Sequence, residues 1–138
     1  MYERVLLAID HSEVSERALA AAAGLAALSD GKVWVLHLRE REVIPRMGLV
    51  ADESPDEAQQ GVQAAVDELL SAGVKATGEV RNTIYGQAAR EIVDDAQEHD
   101  VSVIVMGSRG RNDLTGLFLG STAHKVIHLT DRPVLVVR

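Results

Sequence analysis

The chain contains no cysteine, which excludes disulfides, thiolate metal sites and a cysteine nucleophile together. Aromatic residues are scarce, with one Trp, two Tyr and one Phe, too few for the stacking platforms that hold single-stranded nucleic acid. Lysine and arginine total 14 against 21 aspartates and glutamates, a formal net charge of −7. That sign repels phosphate backbones and acidic lipid, so neither nucleic acid nor membrane is expected as a partner. No apolar run approaches the ~20 residues of a membrane span, and the first residues show no cleavable leader. A cytoplasmic location is the expectation. What the chain does have is 46% hydrophobic residues in a length of 138. That suits one packed domain over 1–138.

The apolar residues fall in alternating patterns. Residues 5–9 are a continuous apolar run, as expected of a strand buried on both faces, and 33–38, apolar but for His37, reads as a second buried strand. Between them Val14, Ala18, Ala21, Ala22, Leu25 and Leu28 recur at helical spacing, with Ser12 as N-cap and Asp30-Gly31 as the stop. Residues 39–53 show neither period and are long for a connection, so a functional cover or a mobile loop is expected there. Ser54-Pro55-Asp56-Glu57 starts a second helix with Ala58, Val62, Ala65, Val66, Leu69 and Leu70 as its apolar stripe. A weaker strand over 74–80, interrupted by Gly78, reads as an exposed edge. A third helix carries Ala88, Ala89, Ile92, Val93 and Ala96. Residues 103–106 form a fourth strand, 121–129 a last helix and Val134–Val137 a fifth strand. Strand and helix in alternation predict an α/β fold, a doubly wound parallel sheet with helices on both faces. Ligands of such sheets sit beyond the strand carboxyl ends, where the winding reverses. Asp10 and Gly107 follow the first and fourth strands, and would face one crevice if those strands are neighbours.

The stretch 101–123 carries the strongest chemical signal. An apolar strand breaks at Gly107, turns at Gly110 and restarts as a helix near Gly120, with Arg109 and Arg111 inside the loop. Such a loop presents bare backbone N–H groups to an anion, and its arginines add charge. The same glycines could serve only to make turns in a long connection.

The loop reads Gly107, two residues, Gly110, nine residues, Gly120, Ser121. This Gly-x2-Gly-x9-Gly-Ser spacing resembles the signature of the ATP-binding branch of the universal stress protein family. The similarity covers nearly the whole chain, with residues 5–12 resembling the first strand and acidic turn, and 33–38 a second strand ending in a histidine. The resemblance implies a five-stranded parallel sheet of order 3-2-1-4-5, adenine-nucleotide alpha-hydrolase-like, and a homodimer through the edge strand Val134–Val137. It implies an adenine nucleotide in the crevice, ATP or AMP, with Mg²⁺. Asp10 would then accept ribose hydroxyls or help hold a cation, while Ala8 and Leu38 wall the adenine. Gly107 and Gly110 would let backbone approach the phosphates, with Ser108 between them. Arg109, Arg111 and Asn112 would reach the phosphates by side chain or by backbone N–H. Gly120, Ser121 and Thr122 would offer a helix N-terminus and hydroxyls. One departure is His11, where relatives often carry glycine. Asp10 could alternatively cap the first helix, and Ser121 the last one, with no ligand involved.

Other constellations are thin. His124 and His128 stand four apart, without the glutamate of a His-Glu-x-x-His zinc motif. His37 reads as a hydrogen-bonded core histidine. No Gly-x-Ser-x-Gly elbow surrounds Ser12, Ser108 or Ser121, and the loop lacks the phosphate-loop lysine. Fast hydrolysis is therefore not expected, and the chain reads as a nucleotide-binding regulator of the stress response rather than an enzyme. A nucleotide-independent dimeric interaction module and a slow ATPase are the alternatives.

Overall fold

The computed structural model describes residues 1–10, 12–109 and 119–138. Its elements are β1 (Arg4–Ile9), α1 (Glu13–Leu28), β2 (Lys32–Ile44), β3 (Gly48–Val50), α2 (Pro55–Ser71), β4 (Lys75–Ile84), α3 (Ala88–Glu98), β5 (Val103–Gly107), α4 (Ser121–Leu129) and β6 (Val134–Val137). The parallel strands run β4-β2-β1-β5-β6. This is the expected order 3-2-1-4-5 when the five parallel strands alone are counted. The sheet has a sixth strand, because β3 pairs antiparallel with the far end of β2.

That extra strand corrects the expectation for 39–53. β2 continues to Ile44 and the chain doubles back through Pro45 and Arg46, with the Met47 N–H donating to the Ile44 carbonyl at 3.0 Å. Arg46 has φ 71°, the conformation of the third residue of a type II turn, where glycine or asparagine is usual. Arginine there gave no turn signal in the sequence. The ladder from Lys32 to Arg41 against β4 supplies main-chain hydrogen bonds that need no apolar alternation. β4 likewise runs on to Ile84.

Successive residues of β1 face opposite sides of the sheet. Val5, Leu7 and Ile9 join Val33, Val35, Val103 and Val105 under α1 and α2. Leu6 joins Leu36, Ile104 and Met106 under α3 and α4. In α1 the buried stripe includes Ala18, Ala22 and Ala26, small side chains that let the helix lie close to the strands. Ser12 and Ser54 cap α1 and α2, each accepting from the N–H three residues on. Leu28 and Leu70, expected in the apolar stripes, are exposed. Gly78 marks an edge strand as expected, and also a close approach. A Cβ there would stand 2.5 Å from Val62 Cγ1, so the glycine lets α2 settle onto β4.

One polar cluster is buried with the apolar core. The Asp95 carboxylate, fully buried, accepts from Trp34 Nε1 at 2.6 Å and from the Arg81 guanidinium at 2.8 Å. Arg81 also meets Glu79 at 2.9 Å, and His99 stacks on Trp34 with ring centroids 5.0 Å apart. Burial lowers the Arg81 pKa, but the hydrogen bonds to Asp95 and Glu79 outweigh it and hold the guanidinium above its ordinary value. No described helix is long and apolar enough to cross a membrane.

Candidate functional site

β1 lies between β2 and β5, and the winding reverses between β1 and β5. Beyond the carboxyl ends of these strands opens a crevice of about 260 Å³. Every sequence-predicted site residue that is described lines it. Ala8, Asp10 and Leu38 come from β1 and β2, Gly107, Ser108 and Arg109 from β5 and the turn after it, and Gly120, Ser121 and Thr122 from the start of α4. Gly110, Arg111 and Asn112, together with His11, lie outside the described residues.

The geometry revises several roles. The Gly120 N–H donates to the Ser108 carbonyl at 2.5 Å, and the Ser108 N–H donates to the Val137 carbonyl at 2.7 Å. Both amides are thus engaged with the protein and are not donors to a ligand. Gly107 is required for another reason than phosphate approach. A Cβ on it would stand 2.6 Å from Val14 Cγ1 and 3.2 Å from Val14 Cβ, so the glycine makes room for the first turn of α1. Gly107→Ala is expected to cost about 1–3 kcal/mol through overpacking. Urea unfolding of Gly107→Ala, Val14→Ala and the double variant tests this, because the double variant loses the 2.6 Å clash with Cγ1 and should keep only the milder 3.2 Å approach to Cβ, so the clash term should shrink.

The N-cap of α4 is Gly120, with no side-chain hydrogen bond into the first turn. Ser121 is therefore the first helical residue and not the cap. A helix leaves its first amides without intrahelical acceptors. Ser121, Thr122 and Ala123 line the crevice at the positive end of the helix dipole, and among the described residues no acceptor stands against their N–H groups. Asp10 does not cap α1 either, since Ser12 does. Its Oδ1 accepts from the Ser12 N–H at 3.1 Å and from Ser15 Oγ at 2.7 Å, which fixes the turn out of β1.

Sequence reasoning missed part of the lining. His37 is buried as expected, yet it borders the crevice. Its Nδ1 meets the Ile9 carbonyl at 2.7 Å, and its Nε2 meets Glu53 Oε1. The Arg39 Nε–H donates to the Glu53 carbonyl at 2.9 Å, so Glu53 is fastened twice. Glu40 is half-buried in the crevice, and burial pushes its carboxyl above the ordinary range. A hydrogen bond from the Gly86 N–H and the charges of Lys125 and His37 oppose that rise. Glu40 and Glu53 fall in the stretch without periodicity, so no pattern marked them. Lys125 stands four residues after Ser121 on one helix, a spacing that puts both on one face and could have flagged it. His124 and His128 stack with centroids 5.4 Å apart, and among the described residues no group of three metal-ligating side chains gathers.

Comparison with known proteins decides the family. The universal stress protein family model matches residues 1–138. The chain belongs to the universal stress protein family. The universal stress protein YxiE of Bacillus subtilis is 35% identical, with 100% of each chain covered. The solved structure of MJ0577, a universal stress protein of Methanocaldococcus jannaschii, superposes with a TM-score of 0.82 at 28% identity, covering 99% of this chain and 96% of that one. The universal stress protein from Archaeoglobus fulgidus in complex with dAMP gives a TM-score of 0.76 at 28% identity, covering 99% and 98%. Within this universal stress protein the crevice sits at the winding reversal, where the fold class places ligands.

Proposed function

We propose that this universal stress protein binds an adenine nucleotide in the crevice and acts as a regulator of the stress response with little or no hydrolysis. The observation that carries the reading is the open first turn of α4 at the β1/β5 reversal, with Lys125 and Arg109 at the same crevice. Amides and cations there suit phosphate, and Ala8 and Leu38 offer apolar surface to a base. The relative solved with dAMP shares the fold and supports the choice of adenine. ATP with Mg²⁺ is the fuller ligand proposed. Asp10, Glu40, Asp52 and Glu53 line the same crevice, and a polyphosphate entering beside them gains from an accompanying divalent cation.

Hydrolysis is not part of the proposal. Phosphoryl transfer needs an oriented water and concentrated cation charge on the terminal phosphate. Lys125 and Arg109 are the described cations of the crevice, and both are exposed. The proposal extends to a cytoplasmic homodimer through β6, an edge strand whose Leu135 is exposed. A monomer in light scattering at micromolar concentration would overturn the dimer.

Mass spectrometry of small molecules released by denaturing the purified protein tests the ligand directly. Thermal unfolding gives the second measurement. Ligand at 100 times its Kd stabilises the folded state by about 2.7 kcal/mol. For a chain of this size the melting temperature should rise on the order of 10 °C. Unchanged melting at millimolar dAMP, AMP and Mg²⁺-ATP would reject the nucleotide and leave the dimeric interaction module as the reading.

A further inference from the structure

β2 and β4 outrun the rest of the parallel sheet. β1 ends at Ile9, paired with His37, whereas β2 stays paired with β4 as far as Arg41 and Ile84. The two strands extend beyond the carboxyl ends of β1 and β5 and form one wall of the crevice. Alternation along β2 puts Leu36, Leu38 and Glu40 on the face that α3 and α4 cover. Leu36 belongs to the core there and Leu38 packs at its margin. Glu40 follows on the same face, half-buried, and lines the crevice where the apolar run ends. Its strand partner Thr83 is buried, and the Gly86 N–H donates to it from the turn before α3. Lys125 of α4, His37 and Asp10 are the titratable groups that face it.

Strand order decides which part of a nucleotide reaches this wall. The start of α4 is tied to the end of β5, since the Gly120 N–H donates to the Ser108 carbonyl. A phosphate on the first turn of α4 therefore lies beside β5. β1 with Asp10 comes next and β2 after it, two strand spacings or roughly 10 Å away. A nucleotide laid across the strand ends has its sugar at β1 and its base against Leu38. We propose that Glu40 selects a 6-aminopurine, its carboxylate accepting a hydrogen bond from the exocyclic amino group at the outer edge of the base. The inference rests on the nucleotide reading above and names the residue that chooses the base. A carboxylate has no proton to give. Adenine offers it an amino donor, whereas the 6-oxo group of hypoxanthine sets lone pair against lone pair. Burial raises the Glu40 carboxyl, while the Gly86 N–H and the charge of Lys125 favour the ionised, accepting form. A polar group drawn out of water rejects a ligand that leaves it unpaired, which is how such a site discriminates.

Calorimetry of the full chain with dAMP and with dIMP, which carries the oxo group in place of the amino group, tests the selection. Wild type should bind dAMP about 10- to 150-fold more tightly than dIMP. Glu40→Gln presents a carbonyl to an amino group or, turned over, an N–H to an oxo group, so its preference should collapse towards parity. Urea unfolding of the ligand-free variant checks that the fold is kept. Should Glu40→Gln weaken both ligands in proportion and leave the ratio as in wild type, Glu40 only shapes the wall and the selection is overturned. Wild type binding the two equally, or dIMP more tightly, overturns it without any variant and leaves the nucleotide reading standing. If neither ligand binds at millimolar concentration, the nucleotide reading itself falls and the selection falls with it.

Discussion

Arg81→Met is expected to lower stability by about 3–5 kcal/mol, the usual cost of stripping one partner from a buried ion pair. Methionine keeps much of the arginine stem, so the loss reads the charge and not a cavity. The Asp95 carboxylate, itself unexposed, would keep the Trp34 Nε1–H at 2.6 Å and His99 Nδ1 at 3.6 Å but lose its guanidinium at 2.8 Å. A net stability of about 5–15 kcal/mol is typical of a domain, so the effect should be large in urea unfolding. Adding Asp95→Asn to Arg81→Met should recover much of the loss, since it removes the stranded charge. A cost below about 1 kcal/mol would place this cluster with ordinary surface ion pairs.

Ser121→Pro is expected to weaken nucleotide binding by about 1.5–3 kcal/mol, the worth of a hydrogen bond to a charged group. Proline removes the N–H of Ser121 and its hydroxyl together. The helix should tolerate it, because proline is favoured at the first helical position. Gly120, with φ −66° and ψ 159°, already holds the extended conformation that a residue before proline adopts. Unfolding of the nucleotide-free variant should thus stay close to wild type, while dAMP affinity falls roughly 10- to 150-fold. Ser121→Ala separates the hydroxyl from the amide and should retain most of the affinity. Equal affinity in wild type and Ser121→Pro would show that the first turn of α4 does not hold the phosphate.

The elements that bracket the crevice were legible because their signals are local. Ser12 and Ser54 cap the helices they were expected to start, and α4 runs over 121–129 as read from the chain. The continuous apolar runs of β1 and β5 marked strands covered on both faces, and Asp10 and Gly107 emerge beside each other as the strand order implied. The hairpin of β2 and β3 was not legible. Its turn uses a positive φ at Arg46, and its outer residues Val43 and Leu49 are exposed, so neither period nor turn chemistry announced it. Gly107 and Gly120 were legible as special positions, yet their reasons were not. A glycine spacing looks the same whether it admits a phosphate or the neighbouring Val14.

The sequence alone determined the alternation of five parallel strands with four helices, the helix starts and the ends of β1 and β5 beside which the crevice opens, since propensity, capping and periodicity act within a few residues. Only the tertiary structure decided which amides stay open to a ligand. Hydrogen bonds such as Gly120 to Ser108 and Ser108 to Val137 join residues whose separation along the chain carries no pattern. The same holds for the clasp of Glu53 on His37, sixteen residues apart, which exists because β1 and β2 lie side by side and bring the Ile9 carbonyl to the ring.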